Sequence, residues 1–214
     1  MAIKAVIFDL DGVIVTTDDY HYEAWKMIAD EENIYFDKVI NERLRGVSRM
    51  ESLEIILEKS LKKYNSKEKD KLAEKKNEYY KTLLKNLSTR DILPGVIKLL
   101  EILKEKNIKT AIGSSSKNTM MILNKIEMIN YFDVIVDGTM IRESKPNPEV
   151  FIKAANLLEI PYDNCLVIED ADAGVKAAKN AGMKVLGVGS AKNNSFNDYS
   201  INDLSDVDIF SVIR

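Results

Sequence analysis

The sequence predicts an α/β protein: a parallel sheet core with helices on both faces, plus an inserted all-helical cap domain. Short, continuous apolar segments alternate along the chain with stretches whose apolar residues recur every three or four positions. This alternation is typical of buried parallel strands joined by right-handed helical crossovers. A long stretch without a convincing strand follows the first apolar segment. We therefore expect an α/β core of residues 1–16 and 89–214 and a cap of residues 17–88.

The predicted strands are short apolar runs, as expected for strands buried on both faces. They lie at residues 4–8, 109–114, 134–136, 165–168 and 184–188. The predicted core helices, in which apolar residues recur at helical spacing, lie at residues 94–103, 118–128, 148–158 and 173–181. Pro94 suits the first turn of the first of these helices. Strands and helices in this order indicate a Rossmann-like core.

The predicted cap combines two helical patterns with one strongly charged stretch. Its apolar residues at helical spacing are Trp25, Ile28 and Ala29, followed by Leu53, Ile56, Leu57 and Leu61. The Lys- and Glu-rich stretch of residues 60–81 is typical of a solvated helix face.

The composition limits the classes of function. The 214 residues are 45% hydrophobic and 30% charged, which indicates a soluble globular protein. A net charge of −3 argues against non-specific nucleic-acid binding, and with a self-contained core it predicts a monomer. No apolar run reaches the roughly 20 residues that span a membrane. The single Cys165 excludes an internal disulfide, so we expect a cytoplasmic protein.

Polar side chains that could take part in a reaction lie at or near the ends of the predicted strands. They are Asp9 and Asp11 after the first strand, Ser114 at the second, Glu169 and Asp170 after the fourth, and Lys145 in the loop before a helix. Ligands of open parallel sheets bind at this edge. Two acidic pairs there repel unless they share a cation, and carboxylates without a nearby His or Cys favour Mg²⁺ over zinc.

Each of these motifs has a structural interpretation when taken alone. Asp-x-Asp-Gly is typical of a turn, and Glu-Asp before a helix is typical of a cap. The joint order of strand-Asp-x-Asp-Gly, strand-Ser, loop-Lys-Pro and strand-Glu-Asp favours a functional site instead.

This order of motifs resembles the haloacid dehalogenase superfamily of phosphotransferases. The resemblance implies that Asp9 attacks phosphorus and becomes an aspartyl phosphate, while Asp11 acts as general acid and base. It implies that Asp9, the backbone carbonyl of Asp11 and Asp170 hold Mg²⁺, with Glu169 beside them. Ser114 and Lys145 are then expected to bind and neutralise the transferring phosphoryl group.

The residue types suit that chemistry. A covalent carboxylate intermediate divides one difficult transfer into two easier ones. An anionic Asp9 approaches a phosphate only when charge is screened, which Mg²⁺ and Lys145 can do.

Five segments narrow the resemblance to the β-phosphoglucomutase family. They are His21–Trp25, Arg45–Arg49, Ser52–Leu53, Lys76–Asn77 and Ser114–Asn118. That family interconverts β-glucose 1-phosphate and β-glucose 6-phosphate through a bisphosphate. The residues implied to bind such a sugar phosphate are His21, Trp25, Arg45, Gly46, Val47, Ser48, Arg49, Ser52, Lys76, Ser115, Ser116, Lys117 and Asn118.

The resemblance also implies individual roles within this set. Arg49 grips the non-reacting phosphate, with the help of Ser116, Lys117 and Asn118. Gly46, Val47 and Ser52 line the sugar with Lys76 nearby, Trp25 packs within the cap, and His21 positions Asp11.

Simpler interpretations exist for these residues too. A lone Arg at a helix start is usually structural, and Ser116 also suits the N-cap of a helix. One departure from the family falls at Thr16, where many relatives carry an acid, and a smaller one at Ser115, where Ala is common. The polar segment after Gly189 is assigned no role.

Three other functions remain open. A sugar-phosphate phosphatase uses the same nucleophile but passes the phosphoryl group to water, and Arg49 with Lys117 and Asn118 favours the mutase. A phosphonate hydrolase needs a Schiff-base lysine in the cap, for which only Lys76 is placed. A non-catalytic phosphate sensor predicts the loss of at least one reacting group, and all of them are present.

Overall fold

A computed structural model of the chain describes residues 2–44 and 47–206. Its larger unit is built on a six-stranded, all-parallel sheet with the strand order β3-β2-β1-β4-β5-β6. The strands are β1 (Ala5–Phe8), β2 (Lys109–Gly113), β3 (Val134–Val136), β4 (Cys165–Glu169), β5 (Lys184–Gly187) and β6 (Tyr199–Ser200). The five predicted strands and the α/β fold class are confirmed.

Eight α-helices accompany the sheet in the described part of the chain. They are α1 (Asp18–Glu31), α2 (Lys38–Glu42), α3 (Arg49–Leu57), α4 (Ser66–Leu83), α5 (Val96–Glu105), α6 (Thr119–Lys125), α7 (Glu149–Leu158) and α8 (Asp172–Asn180). Among these helices none combines the length and the apolar character needed to cross a bilayer.

The strand order creates a switch point between β1 and β4. From β1 the chain proceeds through β2 to β3 on one side, and then returns to β4, β5 and β6 on the other. Right-handed crossovers place α5 and α6 on one face of the sheet and α7 and α8 on the opposite face. In such sheets the crevice at the switch point, beyond the carboxyl ends of the strands, is where ligands bind.

The sheet is packed from apolar residues that are completely buried. All four residues of β1 and all five of β4 are buried, because helices cover both faces of the central strands. Phe151 of α7 and Val175 of α8 belong to the same hydrophobic cluster as Ile7 and Val167.

Thr17–Leu87 forms a second compact unit, and the described residues before and after it form the first. Ser88, which the sequence groups with the cap, belongs to the larger unit. Helices α1 to α4 build the smaller unit around one buried cluster. Its members include Trp25, Ile28, Leu53, Ile56 and Leu72.

The structure adds two details to the patterns of the cap. Leu61, which continues the helical spacing of Leu53 and Leu57, lies beyond the end of α3 and is fully exposed. The charged stretch also contains buried residues, because Lys76 and Tyr80 of α4 are buried. Helix α4 begins only after Asn65, whose side chain accepts a hydrogen bond from the backbone N–H of Glu68.

The segment after β5 has a structural role that the sequence does not reveal. It turns through a short 3₁₀ helix at Gly189–Asn193 and then adds β6 to the edge of the sheet. A strand of two residues is too short to produce a recognisable apolar pattern. Helix α5 starts at Val96 rather than at Pro94, after Gly95 in the left-handed conformation.

We expect Leu53→Ala to lower the free energy of unfolding by about 2–5 kcal/mol, because it opens a cavity in the cap cluster. Leu61→Ala removes the same atoms from an exposed site and should change the free energy of unfolding by no more than about 0.5 kcal/mol. Urea unfolding of both variants measures the difference. Equal losses would contradict the assignment of Leu53 to the core and Leu61 to the surface.

Candidate active site

The acidic residues at the switch point meet because β1 and β4 are neighbours. Phe8 pairs with Ile168 in the parallel register, so Asp9, just after β1, lies beside Glu169, the last residue of β4. The backbone N–H of Asp9 donates to the carbonyl of Ile168 at 3.0 Å and continues the ladder by one bond. Asp170 is the next residue after Glu169, so it lies at the same edge of the sheet.

Asp9, Glu169 and Asp170 form a compact group of carboxylates. One carboxylate oxygen from each lies within 4.8 Å of the others, and all three residues are buried. Burying several like charges in one place is unfavourable unless a counter-charge is present. These hard oxygen donors suit a hard divalent cation such as Mg²⁺, so this cluster could bind a metal.

Lys145 supplies one buried positive charge to the group. Its Nζ donates to Oδ1 of Asp9 and, at 3.3 Å, to Oε1 of Glu169. Its exposure is only 3%. One ammonium for three carboxylates leaves an excess of negative charge, which a divalent cation could offset. The residues present therefore fit such an ion.

Burial and charge oppose each other in the pKa values of this group. Burial alone lowers the pKa of Lys145, but the carboxylates of Asp9 and Glu169 outweigh it and raise the pKa above its ordinary value. Burial raises the pKa of Glu169 well above its usual range, and the charge of Asp9 adds to that effect. Lys145 is therefore a permanent cation.

The loop before α7 holds Lys145 through hydrogen bonds to the helix. Oε2 of Glu149, in the first turn of α7, accepts the backbone N–H groups of Arg142 and Glu143 at 2.9 Å each. Oδ1 of Asn147 accepts the N–H of Glu149 at 2.9 Å. The loop has no secondary structure of its own, so these bonds fix its backbone.

The carboxylate of Glu169 packs closely against the backbone of Gly174 in α8. A Cβ atom on Gly174 would lie 1.6 Å from Oε1 and 2.1 Å from Cδ of the Glu169 carboxylate. The absence of a side chain is therefore what allows α8 to approach the acidic group. A glycine inside a predicted helix costs about 1 kcal/mol relative to alanine, which is the sequence signal that could have revealed this contact.

Asp11 lies in a tight turn after β1. The backbone N–H of Gly12 donates to the carbonyl of Val15 at 2.8 Å, and the N–H of Ile14 donates to the carbonyl of Leu10 at 2.9 Å. Asp11 is partly exposed, unlike Asp9. The turn thus places two carboxylates with different degrees of solvation after the same strand.

Ser114 begins the loop after β2 and is buried. Its N–H donates to the carbonyl of Val136 at 3.0 Å, and its Oγ accepts the N–H of Ser116 at 3.1 Å. Lys117 is exposed and Asn118 is buried. The expectation that Ser116 is the N-cap of a helix is wrong, because α6 begins at Thr119 and Asn118 occupies the cap position.

Ser115 contacts the lysine loop. Its Oγ accepts the backbone N–H of Lys145 at 3.5 Å, a long hydrogen bond. The two loops that carry Ser114 and Lys145 thus meet through Ser115.

In the cap, Arg49 lies at the start of α3. Its Nη2 donates to Oδ1 of Asn77 at 2.8 Å. Ser48 caps the helix, since its Oγ accepts the N–H of Glu51 at 3.2 Å. Arg45 and Gly46, both predicted to bind substrate, lie outside the described residues.

Arg49 and its neighbours differ in how deeply they are buried. Partial burial lowers the pKa of Arg49 from its ordinary value. Val47 is half-buried, whereas Ser52 is buried.

A second cap group surrounds the buried Lys76. Its Nζ lies 2.7 Å from Nδ1 of His21, 4.5 Å from the ring centre of Tyr80 and 5.1 Å from that of Trp25. Aromatic faces and a neutral imidazole can stabilise an ammonium ion where no water reaches it. The Oη of Tyr80 donates to Oγ1 of Thr17 at 2.8 Å.

His21 is held in its neutral form by this environment. Burial lowers the pKa of His21 well below its ordinary value, and the charges of Lys76 and Arg49 lower it further. Sequence reasoning names His21, Lys76 and Arg49 but misses Tyr80, which packs on the His21 ring with centroids 4.1 Å apart. A Tyr in a charged stretch gives no sign of complete burial.

The chemistry available to the core group is nucleophilic. Asp9 is a buried carboxylate that faces a fixed cation, with further acidic oxygens at the same sheet edge. A second carboxylate, Asp11, follows from the same turn. This arrangement supports attack on a centre that bears negative charge, provided that a bound cation screens it.

The chain is similar to known proteins along nearly its whole length. The family model described as haloacid dehalogenase-like hydrolase matches residues 6–188. A β-phosphoglucomutase of Bacillus subtilis (strain 168) is 45% identical over 206 residues, which cover 95% of this chain and 91% of that protein. A phosphorylated carbohydrates phosphatase of Thermotoga maritima is 33% identical over 190 residues, which cover 86% of this chain and 85% of that protein.

A solved structure shares the architecture. The crystal structure of a β-phosphoglucomutase from Clostridium difficile matches with a TM-score of 0.91 and 40% sequence identity, and the match covers 98% of this chain and 95% of that one.

We expect Gly174→Ala to weaken Mg²⁺ binding by about 10- to 100-fold, because the new methyl group displaces the Glu169 carboxylate. Calorimetric titration with Mg²⁺ measures the affinity. Lys176→Ala, at an exposed position of the same helix, is the control and should leave the affinity unchanged. An unaltered affinity in Gly174→Ala would show that Glu169 is not coupled to the metal.

We expect the imidazole of His21, the only His in the chain, to stay neutral well below pH 6.5. NMR titration of that single imidazole gives its pKa directly. Because unfolded His21 takes up a proton that the folded form excludes, stability should fall as the pH drops below about 6.5.

The matched variant is Lys76→Met, which removes one positive charge and should raise the pKa of His21. A wild-type imidazole that titrates near pH 6.5 would disprove the buried environment.

Proposed function

Because the chain belongs to the haloacid dehalogenase-like hydrolase family, we propose that it is a β-phosphoglucomutase, which interconverts β-D-glucose 1-phosphate and β-D-glucose 6-phosphate. One observation in particular supports the proposed class of reaction, phosphoryl transfer through an aspartyl phosphate. Asp9 is a buried carboxylate bonded to Lys145 and grouped with Glu169 and Asp170 at the sheet switch point. The likeness to the mutase of Bacillus subtilis, which extends through both units, supports the choice of a sugar as phosphoryl acceptor.

The reaction cycle starts from phosphorylated Asp9. The 6-hydroxyl of β-glucose 1-phosphate attacks that phosphorus, the bond between phosphorus and Asp9 breaks, and the hydroxyl proton passes to Asp11. The product is β-glucose 1,6-bisphosphate. Asp9 then attacks the phosphorus on C1, and Asp11 returns its proton to the departing C1 oxygen. Glucose 6-phosphate leaves, and Asp9 carries the phosphoryl group again.

We assign a Mg²⁺ site to Asp9, Asp170 and the backbone carbonyl of Asp11, with Glu169 beside them. When bound, the ion screens the negative charge between Asp9 and the phosphate and stabilises the charge that develops on the transferring group. The grouping of three buried carboxylates supports this assignment.

Lys145 and Ser114 act on the transferring phosphoryl group. The Nζ of Lys145 remains charged and holds Asp9 in place, and it neutralises phosphate oxygens as the transfer proceeds. The hydroxyl of Ser114 offers one more donor at the same edge. Phosphoryl transfer asks a protein mainly for such positioning and charge stabilisation.

We assign the non-reacting phosphate to Arg49. A guanidinium can bind two phosphate oxygens at once, and the contact with Asn77 orients it. Ser116, Lys117 and Asn118 supply further donors for a substrate phosphate. The roles of the sugar-lining Val47 and Ser52, and of His21 toward Asp11, stay predictions.

The second candidate function is a Mg²⁺-dependent sugar-phosphate phosphatase. The similarity to the phosphorylated carbohydrates phosphatase of Thermotoga maritima favours it, because the nucleophile is common to both reactions. The two functions differ only in whether water or a sugar hydroxyl attacks phosphorylated Asp9.

The partner is therefore a small sugar phosphate. We place the reaction in the cytoplasm, in keeping with the free thiol of the buried Cys165. Burial raises the pKa of that thiol to about 12, so the thiol stays protonated near neutral pH. The monomeric state and the absence of nucleic-acid binding stay predictions from the charge.

The direct test incubates the protein with Mg²⁺, β-glucose 1-phosphate and a trace of the 1,6-bisphosphate. We expect glucose 6-phosphate to accumulate with little free phosphate, and Asp9→Ala to abolish turnover because it removes the nucleophile. Free phosphate without isomerisation would establish the phosphatase instead. Full turnover by Asp9→Ala would remove Asp9 from the mechanism.

Arg49→Ala tests the choice of substrate within the same assay. We expect it to lower mutase kcat/KM by about 100-fold or more, because a charged phosphate contact is lost. Hydrolysis of a small phosphate ester, which has no second phosphate, should change much less. Arg43→Ala is the matched control, since Arg43 is an exposed cap arginine paired only with Glu58 among the ion pairs of the described residues.

A further inference from the structure

A short turn after β3 packs against the loop that follows β2. The turn consists of Asp137, Gly138 and Thr139, and the loop is Ser114–Asn118. Strands β2 and β3 are parallel neighbours, with Gly113 paired with Val136, so both segments leave the sheet at the carboxyl edge.

Gly138 contacts the loop at van der Waals distance or closer. Its backbone N–H donates to the carbonyl of Ser116 at 3.0 Å. A Cβ atom at this position would lie 2.2 Å from the carbonyl oxygen of Ser115 and 3.0 Å from the backbone nitrogen of Lys117. Ordinary contacts of a Cβ atom begin near 3.4 Å, so any side chain here must push the loop by about 1 Å.

Asp137 and Thr139 hold Gly138 in that position. Asp137 is buried, and its Oδ1 accepts both the backbone N–H of Thr139 at 2.8 Å and the Oγ1 hydroxyl of Thr139 at 2.6 Å. The N–H of Met140 donates to the carbonyl of Asp137 at 3.0 Å. The turn is therefore closed by hydrogen bonds of its own, in addition to the one that Gly138 donates to the loop.

The loop, by contrast, depends on what surrounds it. The carbonyl of Ser116 accepts from Gly138 on one side and from Oγ1 of Thr119 at 2.8 Å on the other. Within the loop, Oγ of Ser116 accepts the N–H of Asn118 at 3.2 Å. The backbone that carries Ser116, Lys117 and Asn118 is thus fixed partly by the turn.

From these contacts we infer that the Asp137–Gly138–Thr139 turn is a positioning element that sets the affinity of the Ser116–Asn118 loop for a substrate phosphate. The inference rests on the proposed function for the identity of that ligand. None of the three residues needs to touch the substrate, and none takes part in the transfer at Asp9.

If the turn has this role, its variants should weaken the binding of the substrate phosphate without slowing the phosphorylation of Asp9. The backbone N–H of Ser114, which we assign to the transferring phosphoryl group, donates to the carbonyl of Val136 in β3, so the sheet holds its main chain, while its Oγ accepts the N–H of Ser116. A displaced Ser116–Asn118 segment should therefore weaken the binding of β-glucose 1-phosphate and of the 1,6-bisphosphate. It should spare the phosphorylation of Asp9 by a small donor such as acetyl phosphate.

The first test is Gly138→Ala. We expect KM for β-glucose 1-phosphate to rise by about 10- to 100-fold, the scale on which a displacement near 1 Å acts. The rate of Asp9 phosphorylation by acetyl phosphate should change by less than about twofold, since the reacting group is not displaced. Amide NMR resonances of Ser116 and Lys117 should shift in the variant. An unchanged KM, or an equal loss with acetyl phosphate, would overturn the inference.

Gly182→Ala is the matched control for a loss of stability alone. Gly182 has a φ of +73°, and apart from its own residue and its two chain neighbours no atom of the described residues lies within 4 Å of the point that a Cβ atom would occupy. Alanine there strains the backbone without touching the site. Its KM should equal that of the wild type.

Asp137 provides a second pair of variants. Asp137→Asn keeps an oxygen that can accept from Thr139 and should retain a nearly normal KM. Asp137→Ala removes that acceptor, opens the turn and should raise KM as Gly138→Ala does. Equal KM values for the two variants would count against the turn as the cause.

Failure of the proposed function gives a different result. If the wild type does not isomerise β-glucose 1-phosphate, the mutase assignment fails. An NMR titration with glucose 6-phosphate then decides the positioning role: weaker binding at Ser116 and Lys117 in Gly138→Ala supports it, and equal binding overturns it.

Discussion

The buried ammonium of Lys145 lies between the carboxylates of Asp9 and Glu169, and the functional edge of the core depends on this arrangement. A carboxylate taken out of water is stable only beside a positive charge or a donor, and here one cation serves a group that contains three acids. Parallel pairing of β1 with β4 forces Asp9 and Glu169 together whether or not their charges favour it. Lys145 offsets part of that repulsion, and the remaining negative charge is one that a divalent ion could offset. The same excess of negative charge that makes the site costly to fold is thus what makes it able to bind a metal.

The rest of the core serves to hold these few groups in place. Helix α7 fixes the lysine loop through Glu149, and α8 approaches Glu169 because Gly174 has no side chain. The Gly138 turn holds the loop after β2 in a comparable way. In each case a backbone segment without regular structure is positioned by a neighbour with regular or self-closed structure. Such support leaves the reacting side chains little freedom, and phosphoryl transfer gains most from that restriction.

Much of this can be predicted from the sequence. The five longer strands are recognisable because each is a continuous apolar run. Asp9, Glu169 and Asp170 stand out because they come at the ends of such runs, and Lys145 because it lies in a loop before a helix, in a characteristic order with them. The details that the sequence does not reveal have physical causes. Leu61 continues a helical spacing past the end of α3, and the spacing does not record where a helix stops. Lys76 and Tyr80 stand in a charged stretch, yet an ammonium ion that packs on aromatic rings can be buried. Strand β6 is two residues long and leaves no pattern.

The order of residues alone specifies the class of fold, the succession of its buried strands and the chemical types available at their ends. Those properties are local, because they depend on which residues are apolar and which acids or bases follow them. The folded structure was needed to show which strand ends become neighbours, how Lys145 reaches both Asp9 and Glu169, and why Gly138 and Gly174 must lack side chains. These properties come from contacts between residues far apart in the chain, since parallel pairing and close packing are established only when distant segments meet in three dimensions.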